Sequence, residues 1–230
     1  MEQLPNFGDK RQTDSCAYCA GATETRDHIP SKVFLDEPYP TNLPVVPACR
    51  SCNVSFSLDE EYVACLLECT IVGSANPNDI QRTKVKQILS RRPALRARLA
   101  RAQQRTLFGE VSFAIEFDRV RKVALKLARG HAAFELNEPQ FADPSSVTIL
   151  PSMLMTEEQR KDFEAPPGST TGPSVGAWPE VGSRAMQRIV TGEFWVVPQP
   201  GRYRYLASVE DGVLIRMVLS EYLACEVRWT

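Results

Sequence analysis

Cys16-Ala17-Tyr18-Cys19, Asp27-His28-Ile29-Pro30, Asn42-Leu43-Pro44-Val45 and Cys49-Arg50-Ser51-Cys52-Asn53 fall in that order within thirty-eight residues of a 230-residue chain. Two Cys-x-x-Cys pairs bracket one of the two histidines in the protein. Thiols two residues apart in a tight turn both reach one ion, with Zn–S near ~2.3 Å, and two such turns complete a tetrahedral four-thiolate set. Paired cysteines at this spacing point to a metal before they point to disulfides. Four thiolates leave no open coordination position, so the zinc expected on Cys16, Cys19, Cys49 and Cys52 is structural. The segment is dense in Cys, Pro, Asn and Ser with short apolar runs, as in small modules that need a metal to hold them together.

Between the knuckles stand residue types suited to metal-assisted phosphodiester cleavage. A neutral imidazole takes a proton from water near neutral pH, which makes His28 a candidate general base. The carboxylate of Asp27 and a side-chain amide oxygen suit a hard divalent cation such as Mg²⁺. Such an ion stabilises charge on the phosphate and the leaving oxygen.

These motifs resemble, in order and spacing, the zinc-containing HNH endonucleases, whose active site is a ββα-metal finger; the resemblance covers about residues 14–68. It implies an N-terminal ββα finger on a four-cysteine zinc site. His28 would be the general base, Asp27 a ligand of the catalytic ion, and Asn42 the residue that braces the loop and aligns the base. Asn53 stands where the motif's last histidine usually sits and would be the second ligand. Asparagine there favours Mg²⁺ or Mn²⁺ over a soft metal. The family's frequent lysine a few residues on is absent, since Val54-Ser55-Phe56-Ser57 follows, so a cation for the phosphate is expected from Lys32, Arg50 or the basic helices. The resemblance implies hydrolysis of phosphodiester bonds in nucleic acid, DNA first. The alternative is a zinc module of HNH descent that binds nucleic acid without cutting it. One tension is physical: neighbours in a regular strand point to opposite faces, so Asp27 and His28 approach one phosphate only where the strand ends.

Charge is divided unevenly. The chain carries net −1, yet residues 78–129 hold fourteen Lys/Arg against four acidic residues, a net of +10. A basic segment on an otherwise acidic protein suggests a polyanion partner. Arg91, Arg92, Arg96, Arg98 and Arg101 are the candidate phosphate contacts, which give affinity without sequence information. Hydrophobic residues make up 43% and charged residues 24%, ordinary for a globular protein. No apolar stretch approaches the ~20 residues of a membrane span, and the N-terminus lacks the order of a signal peptide, so a cytoplasmic protein is expected.

The remaining pattern predicts an α+β protein. Leu58, Tyr62, Leu66 and Cys69 predict a helix over 51–72, with Cys65 and Cys69 buried on it as small apolar residues. Helices are expected over 80–90, 94–104 and 120–129, the last a basic amphipathic helix stopped by Gly130, and a short strand near 113–117. His131 reads as a core histidine. Residues 164–182 read as a long surface loop. Strands are expected over 194–197, 203–209, 213–219 and 224–229, with Asp211-Gly212 as a hairpin turn. Trp195, Tyr203, Tyr205, Cys225 and Trp229 then belong to a sheet core. The division drawn from this pattern is a zinc-bound finger over 1–75, a basic helical segment over 76–135 and an antiparallel β-rich region over 136–230. That last region could also serve a homodimer or a protein partner.

Overall fold

The computed structural model describes residues 13–105, 111–166 and 179–230. It is a mixed helix and strand structure with a C-terminal antiparallel sheet and a four-cysteine cluster. The chain falls into two compact units, one of residues 1–55 with 124–230 and the other of residues 56–123. Most of the surface loop expected over 164–182 lies outside the described residues.

In the first unit, strands β1 (Thr25–His28) and β2 (Val45–Ala48) pair antiparallel, with Asp27 opposite Val46 and His28 opposite Val45. Helix α1 (Arg50–Val72) follows two residues later. Glu24 Oε2 accepts from the Arg50 backbone N–H at 2.9 Å, satisfying one of the orphan donors at the start of this helix. The order is thus strand, strand, helix, and Cys49 and Cys52 stand where β2 passes into the first turn of α1.

The C-terminal sheet has the order β5-β9-β8-β7-β6, all antiparallel: β5 is Ser146–Pro151, β6 Val196–Gln199, β7 Tyr203–Val209, β8 Val213–Leu219 and β9 Leu223–Trp229. Every residue of β8 is buried, so both faces of the sheet are covered. Alternation puts Tyr203, Tyr205, Met217 and Cys225 on one face and Arg204, Arg216, Val218 and Glu226 on the other. On that second face Phe163, Val218 and Ala224 form a small core, and Arg216 donates to Glu226 at 2.7 Å and to the Phe163 carbonyl at 3.1 Å. Gly212 occupies φ +119 in the β8 hairpin, and a Cβ there would meet the Trp229 carbonyl, so Asp211-Gly212 turns the chain as its sequence predicts.

The first face is met by His131, the last residue of helix α4 (Phe117–His131), and by a π-helical turn, Ala132–Leu136. Here the structure corrects a sequence expectation. Gly130 does not stop the helix; the chain runs on to Asn137, whose left-handed backbone (φ 57) caps it. Gly130 serves close packing instead, since a Cβ on it would stand 2.6 Å from Cδ1 of Ile29. His131 is fully buried, bonded through Nε2 to the Tyr203 hydroxyl at 2.8 Å and stacked on Tyr205. The Tyr205 hydroxyl donates to Glu135, which also takes two bonds from Arg188 at 3.2 Å. Arg188 thus pairs the buried charge of Glu135, and the Tyr205 hydroxyl adds a hydrogen bond to it.

Loop and sheet also meet around Asp36. Its backbone N–H donates to Gln199 Oε1 at 2.8 Å, Gln199 Nε2 donates to its carbonyl, and Arg202 pairs with its carboxylate. The β1–β2 hairpin and the C-terminal sheet therefore belong to one packed unit.

The second unit contains most of α1 together with α2 (Thr83–Arg91), α3 (Pro93–Ala102) and the short pair β3 (Gln103–Arg105) and β4 (Val111–Phe113). Within α1, Glu60 and residues 62–69 are buried, Cys65 and Cys69 included. Burial pushes the Cys69 thiol up to about 12, so it behaves as a small apolar group. The strand expected near 113–117 is shorter than its alternation suggests: Ile115 is exposed and Phe117 already opens α4. Among the described residues, no helix is long and apolar enough to cross a membrane.

Candidate functional site

The ligand atoms of Cys16, Cys19, Cys49 and Cys52 all lie within 4.8 Å of one another, and this cluster could hold a metal ion such as zinc. Four sulfurs about 2.3 Å from one centre stand about 3.8 Å apart in a tetrahedron. The Sγ atoms of Cys19 and Cys49 are 3.8 Å apart. The Cys52 backbone N–H points at Cys49 Sγ from 3.3 Å, and this bond favours the Cys49 thiolate. The local backbone explains the convergence. Cys16 and Cys19 bracket a turn closed by Ala20 N–H to the Cys16 carbonyl (3.0 Å), while Cys16 N–H bonds the Gly21 carbonyl (2.7 Å). Cys65, Cys69 and Cys225 lie outside this set and are buried free thiols.

Beside this scaffold stand Asp27 and His28, in the last two positions of β1. Thr25 and Asp27 share one face of the strand. Asn53, on the first turn of α1, reaches the same face: its Nδ2 donates to Thr25 Oγ1 at 3.1 Å and to the Arg26 carbonyl at 3.4 Å. A carbonyl only accepts, so the amide nitrogen must face the strand and Oδ1 is left over. Asp27 is buried, and both of its partners meet one oxygen. The Tyr18 hydroxyl donates to Oδ2 at 2.7 Å, and Lys126 Nζ pairs with Oδ2 at 2.7 Å. Oδ1 of Asp27 accepts no hydrogen bond among the described residues. Each of these two side chains thus keeps one oxygen that accepts no hydrogen bond from another described residue.

His28 is half-buried on the other side of the strand end. Burial pushes its imidazole below the ordinary 6.5; the ammonium of Lys32 and, less strongly, that of Lys126 push the same way, while Asp27 opposes them. The ring is therefore neutral at pH 7, as a proton acceptor must be. Strand pairing ends at His28, although Ile29 N–H still bonds the Pro44 carbonyl at 2.9 Å. Lys32 follows in a 3₁₀ turn, with its ammonium 5.5 Å from the Tyr39 ring centre. Asn42 sits in an exposed turn, and its side chain makes no hydrogen bond to His28. Arg50 is exposed at the start of α1.

The arginines singled out in the sequence lie in the second unit. Arg91, Arg92 and Arg96 are all exposed; Arg92 pairs with Glu61 at 2.8 Å, and Arg98 with Glu116 at 3.4 Å. Arg119 and Lys122 both bind Asp59, at 2.6 and 2.8 Å. Part of the +10 charge is thereby neutralised within the protein. Lys86, Arg91, Arg96, Arg101 and Arg105 remain exposed with no acidic partner among the described residues.

Two residues at the site have no signal in the motif. Lys126 lies far along the chain on a helix that reads as a basic surface helix, yet its side chain is only 1% exposed. Tyr18 lies inside the first knuckle, so its hydroxyl ties the metal scaffold to Asp27.

Comparison with protein-family models, with curated proteins and with solved structures finds no match for this chain.

Proposed function

We propose that the protein is an HNH-type endonuclease that hydrolyses phosphodiester bonds of DNA with a structural zinc and one divalent Mg²⁺ or Mn²⁺ ion. The observation that supports this reading is the strand-strand-helix element beside the four-cysteine cluster, with Asp27 and His28 at the end of its first strand and Asn53, in the first turn of its helix, hydrogen-bonded to that strand. His28, neutral at pH 7, accepts the proton of a water that attacks phosphorus. Asp27 Oδ1 and Asn53 Oδ1 would hold the ion, which when bound stabilises negative charge on the phosphate and the leaving oxygen. Tyr18 orients Asp27 through Oδ2, and the hydrogen bonds from Asn53 to β1 fix which atom of its amide faces outward. Lys32, flanking His28, supplies positive charge for the substrate phosphate. Arg91, Arg96, Arg101 and Arg105 are suited to contacts with the DNA backbone. Cleavage by water on phosphorus would leave a 5′-phosphate and a 3′-hydroxyl, as the family resemblance implies.

The test is incubation of plasmid DNA with Mg²⁺ or Mn²⁺, comparing wild type with His28→Ala at equal zinc content. Loss of the base should lower the rate by ~10²–10⁴. Equal cleavage by both proteins, or none by either across DNA and RNA substrates, overturns the reading.

One observation favours a second reading. A buried ammonium already neutralises Asp27, so the carboxylate has a structural reason to be there without any ion. On that account the finger binds nucleic acid without cutting it. The wild-type protein separates the two: plasmid cleavage with Mg²⁺ or Mn²⁺ is expected on the first reading, and DNA binding without cleavage on the second.

A further inference from the structure

The ion pair between Lys126 and Asp27 bears on how the proposed catalytic site takes up its metal. Lys126 enters from α4, which lies far from the finger in sequence, and its ammonium is sealed from solvent at 2.7 Å from Asp27 Oδ2. It also lies 3.4 Å from Ser31 Oγ and 5.9 Å from the centre of the Tyr18 ring. A cation that could reach water would cost little to keep near a carboxylate. A lysine buried this deeply is costly unless an anion is close, so the ammonium depends on the Asp27 carboxylate.

The charges can be counted. Asp27 brings one negative charge, Asn53 is neutral, and Lys126 brings one positive charge. Before any ion arrives, the carboxylate that would hold it is already neutralised. Its free Oδ1 must then attract a divalent cation against an ammonium on the same carboxylate. Lys32, close enough to act on His28, adds a second positive charge to the neighbourhood. A phosphodiester is the group that would restore balance, since each phosphate carries one negative charge.

We propose that Lys126 is a positioning residue that holds Asp27 in place and weakens divalent-ion binding in the free protein, so that the ion is held firmly only together with a nucleic-acid phosphate. This inference rests on the proposed reading of Asp27 as a ligand of the catalytic ion. It assigns Lys126 a double effect. Its hydrogen-bonded grip on Oδ2 leaves Oδ1 outward, and its charge penalises an ion that comes without substrate. The finger would thus discriminate against free Mg²⁺ and assemble its ion on DNA.

Mn²⁺ alone, titrated into the zinc-loaded full chain and followed by electron paramagnetic resonance of the free ion, tests this without reference to activity. Lys126→Gln removes the charge and should tighten Mn²⁺ binding by about tenfold or more, an effect of the size expected from one nearby unit charge. Lys126→Met, close to lysine in length, repeats the measurement should glutamine disturb the fold, with a thermal melt confirming that the variant is folded. Asp27→Asn in the Lys126→Gln background should abolish the tight binding. If Mn²⁺ binding depends on Asp27 but is equal or weaker in the Lys126 variants, the role of Lys126 is overturned while Asp27 remains a ligand. If no protein in the set binds Mn²⁺ in an Asp27-dependent way, both the ligand assignment and this inference fall. In the wild type, a short duplex should tighten Mn²⁺ binding beyond what the duplex binds by itself. An additive result overturns the coupling to phosphate.

Discussion

Gly130→Ala tests the packing that seats the strand end carrying His28. In a helix interior, alanine is ordinarily favoured over glycine by about 1 kcal/mol. At Gly130 the new methyl would stand 2.6 Å from Cδ1 and 2.7 Å from Cγ1 of Ile29, a fully buried residue next to His28. Forcing an extra methyl into a packed core costs about 1–3 kcal/mol, and contact with two carbons at that distance belongs at the upper end. The net expectation is a loss of about 1–2 kcal/mol, or some 2–8 °C in melting temperature for a chain of this length. Urea unfolding of the zinc-loaded protein at neutral pH measures it. Ile29→Val removes Cδ1 and alone costs about 0.5–1.5 kcal/mol. Beside Gly130→Ala it should cost less than that or restore stability, giving a coupling of about 1 kcal/mol in the double-mutant cycle. Refutation would be a Gly130→Ala protein at least as stable as wild type, or an Ile29→Val effect of equal size in both backgrounds.

Three other outcomes are expected. Cys52→Ser should reduce bound zinc below half an equivalent by elemental analysis and unfold the finger, because structural zinc contributes about 10–16 kcal/mol in comparable modules; a stable zinc-free protein contradicts the cluster's role. His131 is held neutral by burial, assisted by the charges of Lys126 and Arg188, well below its ordinary 6.5. The folded state therefore binds fewer protons than the unfolded chain in acid: the contribution is complete above pH 6.5 and is lost as pH falls below it, by up to about 1.4 kcal/mol per pH unit. Urea melts at pH 7.5 and 5.5 should show a smaller difference in His131→Phe than in wild type, and an identical difference refutes the assignment. Reversing charge at Arg91 and Arg96 should flatten the salt dependence of DNA binding by about two phosphate contacts, roughly 1.8 in the logarithmic slope; an unchanged slope marks them as a solvated face.

How much of this is legible in sequence follows from what each residue depends on. The four-cysteine cluster can be read because each knuckle is local: two thiols and the turn between them lie within four residues. The hairpin strands β7, β8 and β9 are equally local, announced by alternation and by Asp211-Gly212. Lys126 is not legible. Its role depends on Asp27 meeting it across 99 positions of chain, and a lysine on an amphipathic helix ordinarily faces water. Gly130 misleads for a related reason, since its missing side chain answers to Ile29 and not to its own helix. Strand β5 and helices α5 (Glu157–Glu164) and α6 (Arg184–Thr191) are short elements whose partners lie far along the chain: β9 for β5, the sheet at Arg204 and Arg216 for α5, and the π-helical turn, through Glu135 and Phe134, for α6. The net of +10 over 78–129 is readable as a number, but which charges are cancelled depends on Glu61, Asp59 and Glu116 being brought into range.

The grip on Asp36 has a consequence for how the molecule comes into being. Arg202 and Gln199 are made more than 160 residues after the loop they hold, and Lys126 about a hundred after Asp27. During synthesis the emerging hairpin could capture a metal early, but the Lys126 partner of Asp27 comes only with α4, and the loop at Asp36 waits for Gln199 and Arg202. Contacts of such separation form late and slow the final step of folding. A fragment ending near residue 75 would load zinc and still lack a settled Asp27, so the N-terminal module is not one that can be transplanted alone.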